Sequence, residues 1–300
     1  MIDQGESVLA KLRNKARLTG KSFQLLIQLF CQEEFLRKVT HSKYKDNLIL
    51  KGGLFLYYIS GFEGRPTMDI DLMVKNLSNE LHDIEEVIKQ IISEDTGNDF
   101  ILFKIKSVQN ITEQRDYHGV RVKIIAQIKN TKTPFDVDMG IGDVIIPKAE
   151  TRKLPTQLPD FEKPVVMTYS LESTIAEKFD AIISRMSLSS RMKDYYDIFY
   201  LANTYSFDGR ELQEAIFETL QNRRTLYEAD TFERVYGFIG DNDMQLKWKH
   251  FIKSTLKMEI EFTVVLNTMY FFLKPIFDAI VNETEIFEIW NPSLLKYERE

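Results

Sequence analysis

Residues 68–74 constrain the fold more than any other segment, because Asp69 and Asp71 alternate with Met68, Ile70 and Leu72 before the apolar residues Met73 and Val74. A period of two predicts a β-strand with one buried face, and it places the side chains of Asp69 and Asp71 together on the other face. Two carboxylates this close repel each other unless a cation lies beside them. A divalent metal is one explanation, with Mg²⁺ favoured by hard oxygen ligands. A solvated strand face is the alternative.

A glycine pair precedes this strand. Gly52 and Gly53 follow the apolar run 48–50 and come before the helical pattern 54–59. Backbone N–H groups at a strand-to-helix junction bind phosphate, and glycine lets the phosphate approach closely. An ordinary tight turn explains the pair equally well when it is considered alone. A glycine pair followed by a helix, a turn and two spaced aspartates is a rarer combination, and it favours a phosphate site beside a metal site.

A second pair of spaced aspartates occurs in residues 135–143. Asp136 and Asp138 share one face of another predicted strand, so either can supply a third carboxylate beside the first two. Three carboxylates that hold two Mg²⁺ ions would orient a nucleoside triphosphate for in-line attack by an acceptor. Asp143 follows Gly142, and we expect it to stabilise a turn.

The order of the predicted elements indicates an α+β protein, with a mixed sheet flanked by helices and then a mainly helical C-terminal domain. Two helices are expected in residues 3–39, with a break at Thr19 and Gly20. Ser78 is the predicted N-cap of a helix that ends near residue 92. The further predicted strands are 100–108, 119–128 and 134–139, and the further predicted helices are 171–186, 192–203, 210–220 and several beyond 230.

Residues 149–164 are rich in proline and charge, and we interpret them as a crossing loop between the two halves. The predicted domains are N-terminal helices that pack on the core (1–46), the mixed-sheet core (47–165) and the helical domain (166–300).

The charge and composition exclude several classes of protein. The 300 residues carry a formal net charge of −6, which argues against a protein that coats nucleic acid but allows a local basic site. A single cysteine, Cys31, excludes a disulfide framework or a cysteine-based zinc site and fits a reducing cytoplasm. The richest apolar run, 262–273, is shorter than the ~20 residues of a membrane span. We therefore expect a cytoplasmic protein without a membrane partner.

Together these motifs resemble the nucleotidyltransferase superfamily of the DNA polymerase β type. More narrowly, the chain is similar to the AbiEii/AbiGii toxin family, to which the mycobacterial MenT toxins are related. The segments that carry the resemblance are 50–54, 65–72, 138–143 and 172–198. They occur in the family's order and cover about residues 48–201. Many enzymes of the superfamily have a serine where this chain has Gly53, and a shorter gap to the aspartates; the AbiEii branch shares the features seen here.

The resemblance implies a nucleotide site with three catalytic metal ligands and several phosphate contacts. The implied metal ligands are Asp69, Asp71 and Asp138. The implied phosphate-binding residues are Gly52, Gly53, Arg65 and Thr67. Asp136 then lies beside the site or on the surface.

The downstream segment 172–198 contributes further nucleotide-binding candidates by the same resemblance: Lys178, Lys193 and Asp194. From the residues alone, Lys178 can also be a surface lysine whose stem lies along the predicted helix. Asp194 and its charged neighbours can equally be a solvated helix start, where an acidic residue is favourable in any case. The basic pair Arg223-Arg224 is expected on a solvated face, with contact to an RNA backbone as the alternative.

The function implied by the resemblance is that of a Mg²⁺-dependent toxin. It would transfer a nucleoside monophosphate from an NTP to an RNA acceptor, with the tRNA 3′ end favoured, and so block translation. An AbiEi-like cognate antitoxin is the expected protein partner, and the enzyme is expected to be a monomer. One alternative is a nucleotidyltransferase or kinase that modifies protein. The other is a regulatory module that binds NTP without turnover.

Overall fold

The computed structural model describes residues 3–111, 119–188, 191–256 and 259–299. The chain divides into two compact units, of which the first comprises Met1–Gly142 with Glu150–Tyr169. The second comprises Asp143–Ala149 with Ser170–Glu300. The fold is mixed α+β, as predicted from the order of the elements.

Two helices open the first unit, and both were predicted. Helix α1 (Gln4–Thr19) is capped by the Asp3 carboxylate, which accepts from Glu6 N, and it ends at Gly20 in the left-handed conformation. Helix α2 (Phe23–His41) begins at Ser22, whose hydroxyl accepts from Leu25 N. Glycine adopts the left-handed conformation without a Cβ penalty, which explains why the break falls there.

The remaining elements of the first unit form a mixed sheet and two further helices. They are β1 (Leu48–Lys51), α3 (Gly52–Ile59), β2 (Ile70–Val74), α4 (Leu81–Ser93), β3 (Ile101–Ile111), β4 (Gly119–Ile128), β5 (Thr131–Gly140), β6 (Glu150–Lys153) and β7 (Val165–Thr168). Among the described residues the strand order is β3-β4-β5-β2-β1-β7-β6. The central strand β2 pairs antiparallel with β1 and parallel with β5. The two strands that carry the predicted carboxylates are therefore neighbours in the interior of the sheet.

Two local predictions in this unit are wrong. Ser78 is not the N-cap of α4, because the helix starts three residues later with Glu80 at the cap position; the Ser78 hydroxyl instead accepts from Glu80 N in a turn before the helix. The predicted crossing loop 149–164 contains a strand, since β6 pairs antiparallel with β7. Strand β6 lies at the edge of the sheet and is polar and short, so it lacks the apolar alternation by which a strand is recognised.

The second unit is mainly helical, as predicted. Its elements are α5 (Leu171–Arg185), α6 (Met192–Thr204), β8 (Phe207–Asp208), α7 (Gly209–Asn222), α8 (Thr231–Tyr236), α9 (Asn242–Phe251), α10 (Phe262–Val281), β9 (Ile289–Asn291) and β10 (Lys296–Glu298). The strands form a small antiparallel sheet that was not predicted. Trp290 anchors it, because its buried indole Nε1 donates to Ala202 O at 2.7 Å.

Helix α10 runs beyond the apolar run 262–273 and is long and apolar enough, by length and composition, to cross a membrane. The expectation that no segment reaches that length is therefore wrong. Within the second unit the helix is a core element, because Phe272, Leu273 and Ile276 are fully buried. The Phe277 ring also packs edge-on against Phe179 at 6.0 Å between centroids. The apolar length of α10 is thus explained by packing inside its own unit.

Candidate functional site

The glycine pair lies where β1 ends and α3 begins, as predicted. Lys51, the last residue of β1, is opposite Asp71 of β2 in the antiparallel register. Gly52 has a φ of +69°, and a Cβ at this position would lie 2.1 Å from Asp71 Oδ2. Only glycine fits here, because the backbone is left-handed and the Asp71 carboxylate fills the space a side chain would need. The turn at Gly52 and the Asp71 carboxylate therefore pack directly against each other.

The loop before β2 closes on the same turn. A Cβ on Gly53 would lie 2.9 Å from Thr67 Oγ1 and 3.2 Å from Arg65 Nη1. Arg65 is only 9% exposed, which is unusual for an arginine and shows that the loop holds the guanidinium inside. The backbone start of α3 has no side-chain cap. The structure thus gathers a glycine turn, a hydroxyl and a guanidinium, which together can bind a phosphate.

The carboxylates predicted to bind metal also come together. Asp71 on β2 and Asp138 on β5 are directly opposite each other in the parallel register, and Asp69 precedes β2 by one residue. Burial raises the pKa of the Asp69 carboxyl, and the negative charges of Asp71, Asp138 and Asp136 raise that pKa further. All four carboxylates therefore share one electrostatic environment, in which a cation would relieve their repulsion.

An arginine that was not predicted lies in this cluster. Arg121 on β4 is opposite Asp138 in the antiparallel register. Its Nε donates to Asp138 Oδ1 at 2.7 Å and its Nη2 donates to Asp138 Oδ2 at 2.6 Å, which is a bidentate pair. The Nε also lies 3.6 Å from Asp136 Oδ2. These hydrogen bonds, followed by the negative charges around them, raise the pKa of Arg121.

The sequence contains a signal for this contact. A two-residue turn at Lys129 and Asn130 pairs Ile128 with Thr131. Counting back along β4 and forward along β5 from that pair brings Arg121 opposite Asp138. A short hairpin turn of this kind sets the register of both strands.

The donor chemistry at Asp69 and Asp71 suits a hard divalent cation such as Mg²⁺, since the exposed Asp69 and the half-buried Asp71 both supply carboxylate oxygens. Across residues 3–111, 119–188, 191–256 and 259–299, however, no group of three His, Cys, Asp or Glu side chains is arranged to hold a metal ion. Arg121 occupies both oxygens of Asp138. Each oxygen keeps a further lone pair, so Asp138 can still join a metal site, although the positive charge of Arg121 opposes a metal ion there.

The second unit brings the candidates Lys178 and Asp194 together. Lys178 on α5 is only 8% exposed, and its Nζ lies 2.5 Å from Asp197 Oδ2 and 3.3 Å from Asp194 Oδ1. The Nε of Arg191 donates to the other oxygen of Asp194 at 2.7 Å. These charges form a buried cluster between α5 and α6. Two alternatives are therefore wrong: Lys178 is not a surface lysine, and Asp194 is not part of a solvated helix start. Lys193 is exposed.

A second buried ion-pair cluster in this unit surrounds Arg223. Its Nη2 lies 2.7 Å from Asp143 Oδ1 and 3.0 Å from Glu177 Oε1, and its Nη1 lies 3.2 Å from Asp180 Oδ2. The expectation of a solvated face at Arg223 is therefore wrong. Asp143 accepts hydrogen bonds from the guanidinium, which ties the segment 143–149 to the helices.

Comparison with known proteins gives the family. The family model described as "Nucleotidyl transferase AbiEii toxin, Type IV TA system" matches residues 34–283, which includes every candidate residue named above. No curated protein sequence matches the chain.

Three solved structures are similar. MenT4, a nucleotidyltransferase toxin from Mycobacterium tuberculosis H37Rv, is 15% identical with a TM-score of 0.53, and the match covers 78% of this chain and 72% of that chain. JHP933 from Helicobacter pylori is 14% identical with a TM-score of 0.47 over 87% of this chain and 94% of that chain. A putative nucleotidyltransferase from H. pylori is 14% identical with a TM-score of 0.48 over 87% and 96%. At these identities the MenT4 match concerns the fold alone.

Proposed function

The chain belongs to the AbiEii family of nucleotidyl transferase toxins of type IV toxin–antitoxin systems, and from this premise we propose that it transfers a nucleoside monophosphate from an NTP to the 3′ end of a tRNA. The observation that carries the proposal is the direct register of Asp71 with Asp138, beside a glycine turn that fits only around Asp71. Triphosphate-binding and carboxylate groups on one sheet face are what in-line nucleotidyl transfer requires.

The residues of the first unit divide the work between them. The backbone at Gly52 and Gly53, with Thr67 and the buried Arg65, holds the phosphates, because these donors converge on one turn. Asp69, Asp71 and Asp138 are the carboxylates that would hold Mg²⁺. When bound, Mg²⁺ supplies the positive charge that favours ionisation of the acceptor hydroxyl and departure of pyrophosphate.

The proposed reaction needs no reactant besides the NTP and the acceptor hydroxyl. The acceptor hydroxyl oxygen forms a bond to the α-phosphorus, and the bond from that phosphorus to the bridging oxygen of the β-phosphate breaks. Pyrophosphate leaves, and the hydroxyl proton passes to a carboxylate of the cluster or to water.

For the second unit the family resemblance assigns Lys178, Lys193 and Asp194 to the nucleotide. Lys178 and Asp194 form a buried ion-pair cluster with Asp197, so two of these residues also have a structural role in this unit. Their contact with nucleotide stays a prediction. The same holds for the AbiEi-like antitoxin, the monomeric state and the cytoplasmic location. Size-exclusion chromatography of the toxin alone tests the monomeric state, and the same measurement after co-expression with an AbiEi-like protein tests the antitoxin.

The decisive experiment uses NTPs labelled at either the α or the γ phosphate, incubated with total tRNA and with total protein. We expect α label in tRNA, with release of pyrophosphate. Label from the γ phosphate in protein would indicate a kinase, α label in protein alone a protein nucleotidyltransferase, and NTP binding without pyrophosphate release a regulatory module. Asp69→Asn should abolish the transfer, and the exposed Asp99→Asn in the same unit is the matched control. A fully active Asp69→Asn protein would refute the catalytic assignment.

A further inference from the structure

The segment between α3 and β2 carries three of the candidate residues, yet most of it has no regular secondary structure. Arg65 and Thr67 lie within it, and Asp69 ends it. A loop of this kind loses conformational entropy whenever it is ordered, so an active site built on it needs other groups to hold its backbone.

Helix α2 supplies such groups at the end of this loop. Gln28 and Gln32 are four residues apart, so they lie on the same face of the helix. The Nε2 of Gln28 donates to Met68 O at 2.5 Å, and the Nε2 of Gln32 donates to the same oxygen at 2.8 Å. A carbonyl oxygen has two lone pairs, and both are taken here. The peptide that joins Met68 to Asp69 is therefore fixed by two side chains from one helix.

The amides are not explained by packing. Gln32 is fully buried, and its Oε1 has no hydrogen-bond partner within the described parts of the chain. An unpaired buried polar atom costs about 1–3 kcal/mol, and an apolar side chain of similar shape would avoid that cost. The helix therefore carries an unfavourable group whose visible use is the bond to Met68 O.

The other end of the loop is held from the junction of α1 and α2. The Nζ of Lys21 donates to Phe62 O at 2.5 Å and lies 3.3 Å from the hydroxyl of Tyr57. The N-terminal helices thus contact the loop at both of its ends, at positions 62 and 68. Their role is more specific than packing on the core, which is all the sequence predicts for residues 1–46.

We propose that Gln28 and Gln32 are positioning residues that hold the loop carrying Arg65, Thr67 and Asp69 in its nucleotide-binding conformation. The proposal rests on the proposed function for the identity of the ligand, and on the two hydrogen bonds to Met68 O for the rest. Neither glutamine contacts the reacting atoms; both act through the backbone.

The test replaces both amides by methionine, which keeps the length of the side chain and removes the donors. The double variant Gln28→Met/Gln32→Met is compared with Gln213→Met, whose buried amide in the second unit donates to Thr284 O at 2.6 Å. We measure hydrogen exchange of residues 62–69, the urea midpoint of unfolding, and the affinity for a non-hydrolysable NTP analogue.

The single variants, which retain one donor each, should exchange the loop amides about fivefold faster than wild type, and the double variant should exceed both. NTP affinity should fall in the same order, whereas the urea midpoint should fall no further than in Gln213→Met. Unchanged loop exchange overturns the proposal, and so does faster exchange with unchanged NTP affinity. If the wild-type protein binds no NTP, the proposed function fails, while the exchange data still decide whether the glutamines hold the loop.

Discussion

Replacement of Gly52 by alanine should destabilise the protein for two reasons, and a second variant separates them. The first is the left-handed backbone, at a φ of +69°, and the second is the contact with Asp71. Gly20 has the same φ of +69°, but nothing lies within 4 Å of the position of its Cβ. Gly20→Ala in the same unit therefore measures the backbone cost alone.

The magnitude follows from these distances. A non-glycine residue in the left-handed region costs about 1–2 kcal/mol, and this applies to both variants. At Gly52 the new Cβ also meets Asp71 Oδ2 at 2.1 Å, Cγ at 2.7 Å and Cβ at 2.9 Å. Rotation of the Asp71 side chain moves the first two atoms but not its Cβ, so β1 and β2 must also shift. Overpacking of this kind adds about 1–3 kcal/mol.

We therefore expect Gly52→Ala to lower the free energy of unfolding by about 2–5 kcal/mol and Gly20→Ala by about 1–2 kcal/mol. Native-state hydrogen exchange at the amides of β1 and β2 measures both values in one unit. Gly52→Ala should also lose NTP turnover, because Asp71 is displaced, while Gly20→Ala retains it. Equal destabilisation by the two variants would refute the argument that Asp71 selects glycine at position 52.

Three further changes test the charged groups. Arg121→Gln removes the bidentate pair with Asp138, in which hydrogen bonds between charged groups contribute about 1.5–3 kcal/mol. The affinity for Mn²⁺, measured by calorimetry, should therefore rise about tenfold. Unchanged affinity would show that Arg121 does not compete with the metal. Burial raises the pKa of Glu33 from 4.5 to about 8, so the native state binds the extra proton and stability should fall as pH rises between these values. Glu33→Gln should reduce the pH dependence of the unfolding free energy, measured by urea unfolding from pH 4.5 to 8. An unchanged pH dependence would show that another group causes it. Lys178→Met leaves Asp197 buried without the lysine and should cost about 3 kcal/mol in thermal unfolding; a wild-type midpoint would contradict the buried pair.

The parts of the site that were predictable from the sequence depend on local chemistry. Gly52, with Gly53 beside it, lies at a turn where only glycine fits, and Asp69 and Asp71 stand out as charges in a strand pattern. Each signal lies within a few residues of chain, so no knowledge of distant contacts is needed to find it.

The parts that were missed depend on distant contacts. Arg121 acquires its role from the β4–β5 register, and Gln28 and Gln32 acquire theirs from a carbonyl about forty positions away in the chain. An arginine in a strand and a glutamine in a helix are unremarkable in sequence, since their partners appear only after the sheet and helices pack. Lys178 was misread in one alternative for the same reason, because its burial comes from α6.

The parallel pairing of β2 with β5 restricts how a gene for such a protein can change. Substitutions at most sheet positions alter packing by degrees, but an insertion or deletion of one codon inside either strand reverses the direction of every side chain beyond it. Asp71 or Asp138 would then turn to the opposite side of the sheet. Length variation among descendants should therefore collect between the strands, and within them the number of codons separating each aspartate from its neighbours should remain unaltered even where the encoded residues diverge.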